Sequence, residues 1–429
     1  MVARFATARR GQRGAGLIET MVGILIGLIV VLVIYNMLSA AESYKRMAVG
    51  TSDAQITGLL SQFMVGREAS NGGNGISISA PDLMTCDAAK ASNVWPYTAG
   101  GGKPALWHPI PVLVQDGGAN DVSDSFITLY SGSPHVVWPV SFTADAAPGQ
   151  PFIVQSPNGF TSPSPAVTPY LTIGINSNTG DCEAITVTAA TAADAFGRVT
   201  LTHSANAVTY EATIDPAAKL VNLGPVGIAT RTLYENWDPA TGNACANGAG
   251  GCQIYSTDLL TAGASRVPLA QNIVLMKVQY GLDLSNPIDG IVDCWTPAKA
   301  DITVVANCNP PGLLVKDWTP ASVRGVAQVE LQRIVAVRIG LVVRSDEQGT
   351  RTESDSLDPD FANSPLKFSN RPGMVLFNCA ANDATCLNRI VLKDPILPVG
   401  MPNVIQDGWR YRTFEAVIPL RNAIFNALP

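Results

Sequence analysis

The chain has 429 residues, 47% of them hydrophobic and only 14% charged, with a formal net charge of −6. That length admits two or three domains with a sizeable apolar core, and the composition excludes a chain disordered throughout. Met1–Gly14 carries Arg4, Arg9, Arg10 and Arg13 and no acid, so the remainder is more acidic still, with no Lys/Arg cluster. Direct nucleic-acid binding needs clustered cations to neutralise phosphates, and none is expected here.

After the arginine-bearing leader comes an apolar run in which Glu19 is the lone charge until Glu42. Thr20–Ala41 holds no charged residue, and a helix of that length covers the hydrocarbon core of a bilayer. The basic flank should stay on the cytoplasmic side, with residues from about 42 onward outside. A carboxylate at the edge of such a span is costly unless partnered, which makes Glu19 a candidate functional residue. Gly23 and Gly27 form a G-x-x-x-G spacing that allows close helix approach.

The helix should continue past the membrane as an amphipathic half over residues 42–70. Ile56, Leu59, Leu60 and Phe63 fall at i, i+3, i+4 and i+7, a stripe expected to pack on a globular head. Ser70–Gly75 then supplies turn formers that end it.

Gly14, followed by Ala15-Gly-Leu-Ile-Glu19, resembles the processing site of type IV prepilins and of type II secretion pseudopilins. The resemblance implies a leader over 1–14, cleavage between Gly14 and Ala15 by a prepilin peptidase, and N-methylation of Ala15. It also implies that the Glu19 carboxylate meets the N-terminal amine of a neighbouring subunit and sets axial register. Ala15 stands where the family usually has phenylalanine, and Asn36 where many major pilins have a helix-bending proline. The second departure suits a minor subunit.

Beyond residue 76 the chain reads as β-rich. Candidate strands are Phe126–Tyr130, Val136–Phe142, Ala184–Ala189, Arg198–His203, Ala207–Ile214 and Ile273–Tyr280. Ala144–Pro169 reads as a loop, Val326–Arg333 as a helix leading into a buried strand over Ile334–Arg344, and Arg410–Asn422 as a final strand. The V-Q-Y-G-L-D, V-A-V-R-I-G-L-V-V-R-S and V-I-P-L-R-N blocks in these segments resemble PilW-type minor pilins. That likeness implies a small complex with other minor pilins and a tip adhesin that primes pilus assembly, with twitching, adhesion and DNA uptake all open as the use of the pilus. A single-pass inner-membrane protein with a periplasmic head, reaching the pilus tip or cell surface after assembly, is implied. A J-type tip pseudopilin and a membrane-anchored periplasmic binding or adhesive protein are the alternatives.

The expected fold is therefore α+β: a long N-terminal pilin helix, transmembrane over 15–41 and amphipathic over 42–70, packed on a disulfide-stapled β-rich head over 76–429. Two sub-domains, about 76–270 and 271–429, are expected within that head. Cys86, Cys182, Cys245, Cys252, Cys294, Cys308, Cys379 and Cys386 all follow the apolar segment, as disulfides in an oxidising compartment would. Metal binding competes, but there is no C-x-x-C pair. Eight cysteines allow about 105 connectivities. Short loops favour Cys245–Cys252, Cys294–Cys308 and Cys379–Cys386, which leaves Cys86–Cys182.

No nucleophile elbow, zinc-protease or phosphate-loop motif occurs, so no enzyme and no cofactor are expected. His108, His135 and His203 read as surface or hydrogen-bonded. The oxygen-rich set Asp283, Asn286, Asp289 and Asp293 is the one calcium candidate, although its spacing is not that of an EF-hand. Trp95, Trp107 and Trp138 either fill a core or offer a glycan or a partner pilin an aromatic surface.

Overall fold

A computed structural model describes residues 16–76, 86, 111–117, 122–132, 138–157, 159–160, 169–214, 216–227, 230–245, 251–260, 264–298, 333–346, 375–377, 390–391 and 411–420. Helix α1 runs unbroken over Leu17–Asn71, 55 residues or about 80 Å of axis. No proline interrupts it, and Leu, Met and Ala supply its helix propensity. It ends where Gly73 and Gly75 take positive φ and the Gly73 N–H donates to the Leu129 carbonyl. The end is thereby tied to the head by backbone.

The head begins with β1 (Val112–Gln115) and β2 (Ser125–Tyr130), an antiparallel pair. The chain then builds a separate small unit from β3 (Val140–Ser141), β4 (Phe152–Val154), β5 (Tyr170–Asn176), β6 (Asp181–Ala190), β7 (Val199–His203) and β8 (Lys219–Pro225). Their order is β3-β8-β5-β6-β7-β4. An antiparallel bridge between Phe142 and Val154 joins the two ends of that order. Thr143 N–H to Ile153 O at 2.9 Å and Gln155 N–H to Ser141 O at 3.0 Å extend the bridge, so the sheet closes as a small barrel. Closure leaves no open edge. Its interior is packed by Phe142, Phe152, Tyr210, Ile185 and Leu201.

The chain then returns to the first sheet through β9 (Thr230–Asp238), β10 (Asn243–Ala244), β11 (Gln253–Asp258) and β12 (Val267–Gln271). The order β1-β2-β9-β11-β12, with β10 beside β9, makes the barrel an insertion between β2 and β9. A further sheet, β14-β13-β15-β18, combines β13 (Ile273–Leu282), β14 (Cys294–Pro297), β15 (Ile334–Arg344) and β18 (Tyr411–Pro419). The short pair β16 (Val375–Leu376) and β17 (Ile390–Val391) completes the described elements.

β13 and β15 are buried along their whole length. One face carries Met276, Val278, Ile339 and Leu341 into a core shared with α1, β1 and β2. Burying each such side chain contributes about 1.5–3 kcal/mol. The other face holds Arg338, which donates to Gln279 and lies between the Trp295 and Phe377 rings at 5.0 and 4.4 Å. That one core draws on residues from both sides of position 270, and the barrel has its own interior core. Leu171, Ile173, Ile175, Val221 and Leu223 share a third one with Ile76, Cys86 and Leu129 from outside the barrel.

The two sheets are pinned at Ser123 and Asp124. The Asp124 carboxylate accepts from Lys277 Nζ and the Val278 N–H, each at 2.9 Å, and from the Gly117 N–H at 3.0 Å. Burial pushes its carboxyl up from the ordinary value, and the Lys277 charge pulls against it. Tyr280 OH accepts from the Val114 N–H at 2.6 Å, joining β13 to β1.

Several sequence expectations are corrected. Ala207–Ile214 is not a strand: only Tyr210 pairs, with Ala146, and Asp145 takes the N–H groups of Ala212 and Thr213. Of Val136–Phe142, only Val140–Ser141 forms a strand among the described residues. The expected loop over 144–169 contains β4. Of Val326–Arg333, only Arg333 is described, in a turn.

Candidate assembly surface

Leu17–Glu42 is long and apolar enough to cross a membrane, and no part of it is buried against the head. Glu19 lies in the first turn of α1, its backbone N–H bonded to the Gly16 carbonyl. Among the described residues no hydrogen bond or ion pair engages its carboxylate. Gly23 and Gly27 have open space where a Cβ would sit, so nothing among the described residues fills the G-x-x-x-G surface. Gly14 and Ala15, the expected cleavage and methylation positions, lie outside the described residues.

The outer half of α1 departs from expectation. Residues facing the head are Gly50, Ala54, Gly58, Ser61, Val65 and Ala69, a row of mostly small side chains at helical spacing. Ile56, Leu59, Leu60 and Phe63 are instead 55–65% exposed. The stripe expected to seat the helix on the head is its outward face.

Small residues win the inward face because β18 lies close. A Cβ at Gly58 would run into the Phe414 ring, and one at Gly66 would sit 3.8 Å from Ile418. Eight helical residues span about 12 Å and four strand residues about 13 Å, so the two steps match. Helix and strand therefore run side by side in one direction. Gln62 Nε2 donates to the Glu415 carbonyl along the same seam.

At the end of the helix, Glu68 Oε1 pairs with Arg67 at 2.7 Å. Its Oε2 accepts from the hydroxyls of Tyr130 and Tyr234 at 3.3 and 3.2 Å. Burial, and then the Glu68 charge, push the Tyr234 phenol well above its ordinary value. Glu68 thus orients the helix on β2 and β9.

Cys86–Cys182 and Cys245–Cys252 are bonded as expected, with Cα separations of 5.5 and 5.9 Å. Cys294 is also disulfide-bonded, to a partner outside the described residues, where Cys308, Cys379 and Cys386 lie. The calcium candidates do not converge. Asp283 takes the N–H groups of Ser285, Asp289 and Gly290, while Asp293 takes that of Leu284 and Asp289 that of Ile291. Asn286 precedes a cis proline. Among the described residues no group of three or more His, Cys, Asp or Glu is placed to hold a metal. The three carboxylates shape their own loop.

His203 stacks on Phe152 with its ring nitrogens facing the Ser204 and Gln150 carbonyls, the hydrogen-bonded histidine that was expected. Trp138 is 56% exposed, so it does not fill a core. Trp95, Trp107, His108 and His135 lie outside the described residues.

Residues 247–422 match the family model of type IV pilus-assembly protein W. The match supports a PilW-type pilus-assembly protein. It takes in β11 to β18, including the strands that carry the V-Q-Y-G-L-D and V-A-V-R-I-G-L blocks. The PilW-type region thus supplies β18, the strand on which the helix rests. Comparisons with curated proteins and with solved structures return no match. The match, over less than half of the chain, supports a link to type IV pilus assembly, and the apolar N-terminal helix is compatible with a membrane anchor.

Proposed function

We propose that this chain is a non-enzymatic minor pilin that takes part in initiating a type IV pilus. In this reading the leader is removed between Gly14 and Ala15 by a prepilin peptidase, Ala15 is methylated, and the head faces the periplasm before assembly. The partners are other minor pilins and a tip adhesin. One observation carries the proposal. Among the described side chains of α1 most large apolar residues stay exposed, Met64 and Val65 excepted, while the head is served mainly by Gly50, Ala54, Gly58, Ser61 and Ala69. A helix that only anchored a soluble head would have no use for the exposed run past the membrane.

Glu19 acts here as the register residue. Its carboxylate and the amine of a neighbouring Ala15, about 4 Å apart at an effective dielectric near 20, gain roughly 4 kcal/mol. Pairing offsets the desolvation that would oppose burying either charge. The test is Glu19→Ala in the native envelope, read by membrane fractionation and by pilus number. Normal insertion with strongly reduced pili is expected; wild-type pilus numbers would overturn the proposal.

A further inference from the structure

The turn between β6 and β7 carries Phe196, which is 81% exposed, more than any other large apolar side chain described. Ala192, Ala193 and Ala195 beside it are exposed too. This turn is tightly held. The Asp194 carboxylate accepts from the N–H groups of Phe196 and Arg198 and from Arg198 Nε, each at 2.8 Å. The Asp194 N–H donates to the Arg198 carbonyl at 2.9 Å, and Gly197, at φ 79°, donates to the Asp194 carbonyl at 3.0 Å. At the base the Thr191 N–H donates to the Thr200 carbonyl at 2.9 Å, and the Thr191 hydroxyl oxygen accepts from the Thr200 N–H at 3.1 Å. The Arg198 guanidinium lies 5.0 Å from the centre of the Phe196 ring. The ring is thus presented in a set direction, with little conformational entropy left to lose on contact. A fixed, exposed aromatic on a convex tip is how binding surfaces offer an anchor.

What the tip lacks narrows what it fits. Asp194 and Arg198 pair with each other, so a ring and three methyl groups remain, with no net charge. A sugar would find few polar groups for its hydroxyls, because the Asp194 and Thr191 side chains already serve the turn. A lipid surface is out of reach. The barrel is seated at the end of α1, where Cys182 at the start of β6 shares a core with Ile76. About 44 Å of helix separate Asn71 from Glu42, where the membrane-length run ends. β6 is about 33 Å long, so even turned back toward the membrane it falls short of the apolar layer. A second copy offers no seat in its groove beside α1, which Arg67, Glu68 and Asp258 line with charged groups. The barrel also lies wholly before residue 247, so the tip is an addition to the region that matches the family.

We propose that the Phe196 tip is an anchor for another protein, seated in a concave, apolar and uncharged pocket on a subunit of a different kind. The inference adds to the pilin reading rather than resting on it. The contact draws on apolar burial alone and leaves the outward face of α1 free for helices.

Photo-crosslinking of the full chain in its native envelope tests this, with p-benzoylphenylalanine at Ala193, beside the ring. One protein other than this chain should be captured, with the adduct in a segment of apolar, uncharged side chains. Phe196→Asp should lower capture about thirtyfold, the lower bound for a hot-spot aromatic. Head melting should stay unchanged in that variant, because the ring is exposed. Capture should also be indifferent to added salt, since no charges pair across the contact. Capture of a second copy, of lipid or of glycan overturns the proposal. So does an adduct among charged side chains, capture that Phe196→Asp leaves undiminished, capture that salt abolishes, or no adduct at all. Pilus number under Glu19→Ala decides the pilin reading separately.

Discussion

The ring of Phe414 lies against the backbone of Gly58, where any side chain on the helix would displace it. This contact joins the first element of the chain to the last described strand, across more than 350 residues. It sets how closely α1 approaches β18, and so which helix face remains for partners.

Enlarging Gly58 should loosen that seam. Gly58→Leu forces Phe414 out of place and should destabilise the head by about 1–3 kcal/mol, as overpacking does. Adding Phe414→Ala should recover part of the loss, because the two side chains would then share one space. A double-mutant cycle in thermal or denaturant melting checks this. Strict additivity would mean the contact is not formed.

Separating Lys277 from Asp124 should cost more. Both are almost fully buried, and removing one partner strands a charge that three donors were serving. Lys277→Met should destabilise by about 3–5 kcal/mol. An effect below about 1 kcal/mol, the ceiling for exposed pairs, would show that the site is hydrated.

Alkaline pH should unfold the head. Burial raises the phenols of Tyr210, Tyr234 and Tyr280 above the ordinary value of 10.0. Each binds its proton more tightly folded than unfolded, so its contribution is fully present below pH 10.0 and falls as the pH rises beyond it. The loss is about 1.4 kcal/mol per phenol per pH unit in that window. Absorbance at tyrosinate wavelengths should show these three ionising together with loss of near-ultraviolet circular dichroism. Independent ionisation in a folded head would contradict the burial.

The two described disulfides should differ in effect. Loop-closure entropy assigns about 2.5 kcal/mol to the Cys245–Cys252 loop and about 4.7 kcal/mol to the much longer Cys86–Cys182 loop. Cys86→Ser/Cys182→Ser should therefore lower the melting temperature more than Cys245→Ser/Cys252→Ser. Both links should appear in non-reducing peptide maps.

The helix, β2, β6, β7, β13, β15 and β18 were legible in the sequence, because long apolar runs or β-branched stretches bounded by turn formers are strong signals. β9 was missed for a physical reason. Thr230–Asp238 buries Arg231, Glu235, Asn236 and Asp238 in polar networks, so it reads as a loop until its neighbours are in place. Ala207–Ile214 failed the other way, with strand-like alternation but backbone bonds going to carboxylates. The inward face of α1 was invisible to hydrophobic periodicity, since close approach selects Gly, Ala and Ser. The same periodicity found the outward stripe and gave it to the head.

The central claim is that the outward stripe, rather than the seam with the head, is what the chain offers for assembly. Leu59→Asp with Phe63→Asp tests it most directly, because both side chains are exposed and neither supports the core. Pilus number and head melting should be measured together in the full chain. The account predicts an unchanged melt with pili reduced at least tenfold. Wild-type pilus numbers from a stably expressed double variant would contradict it.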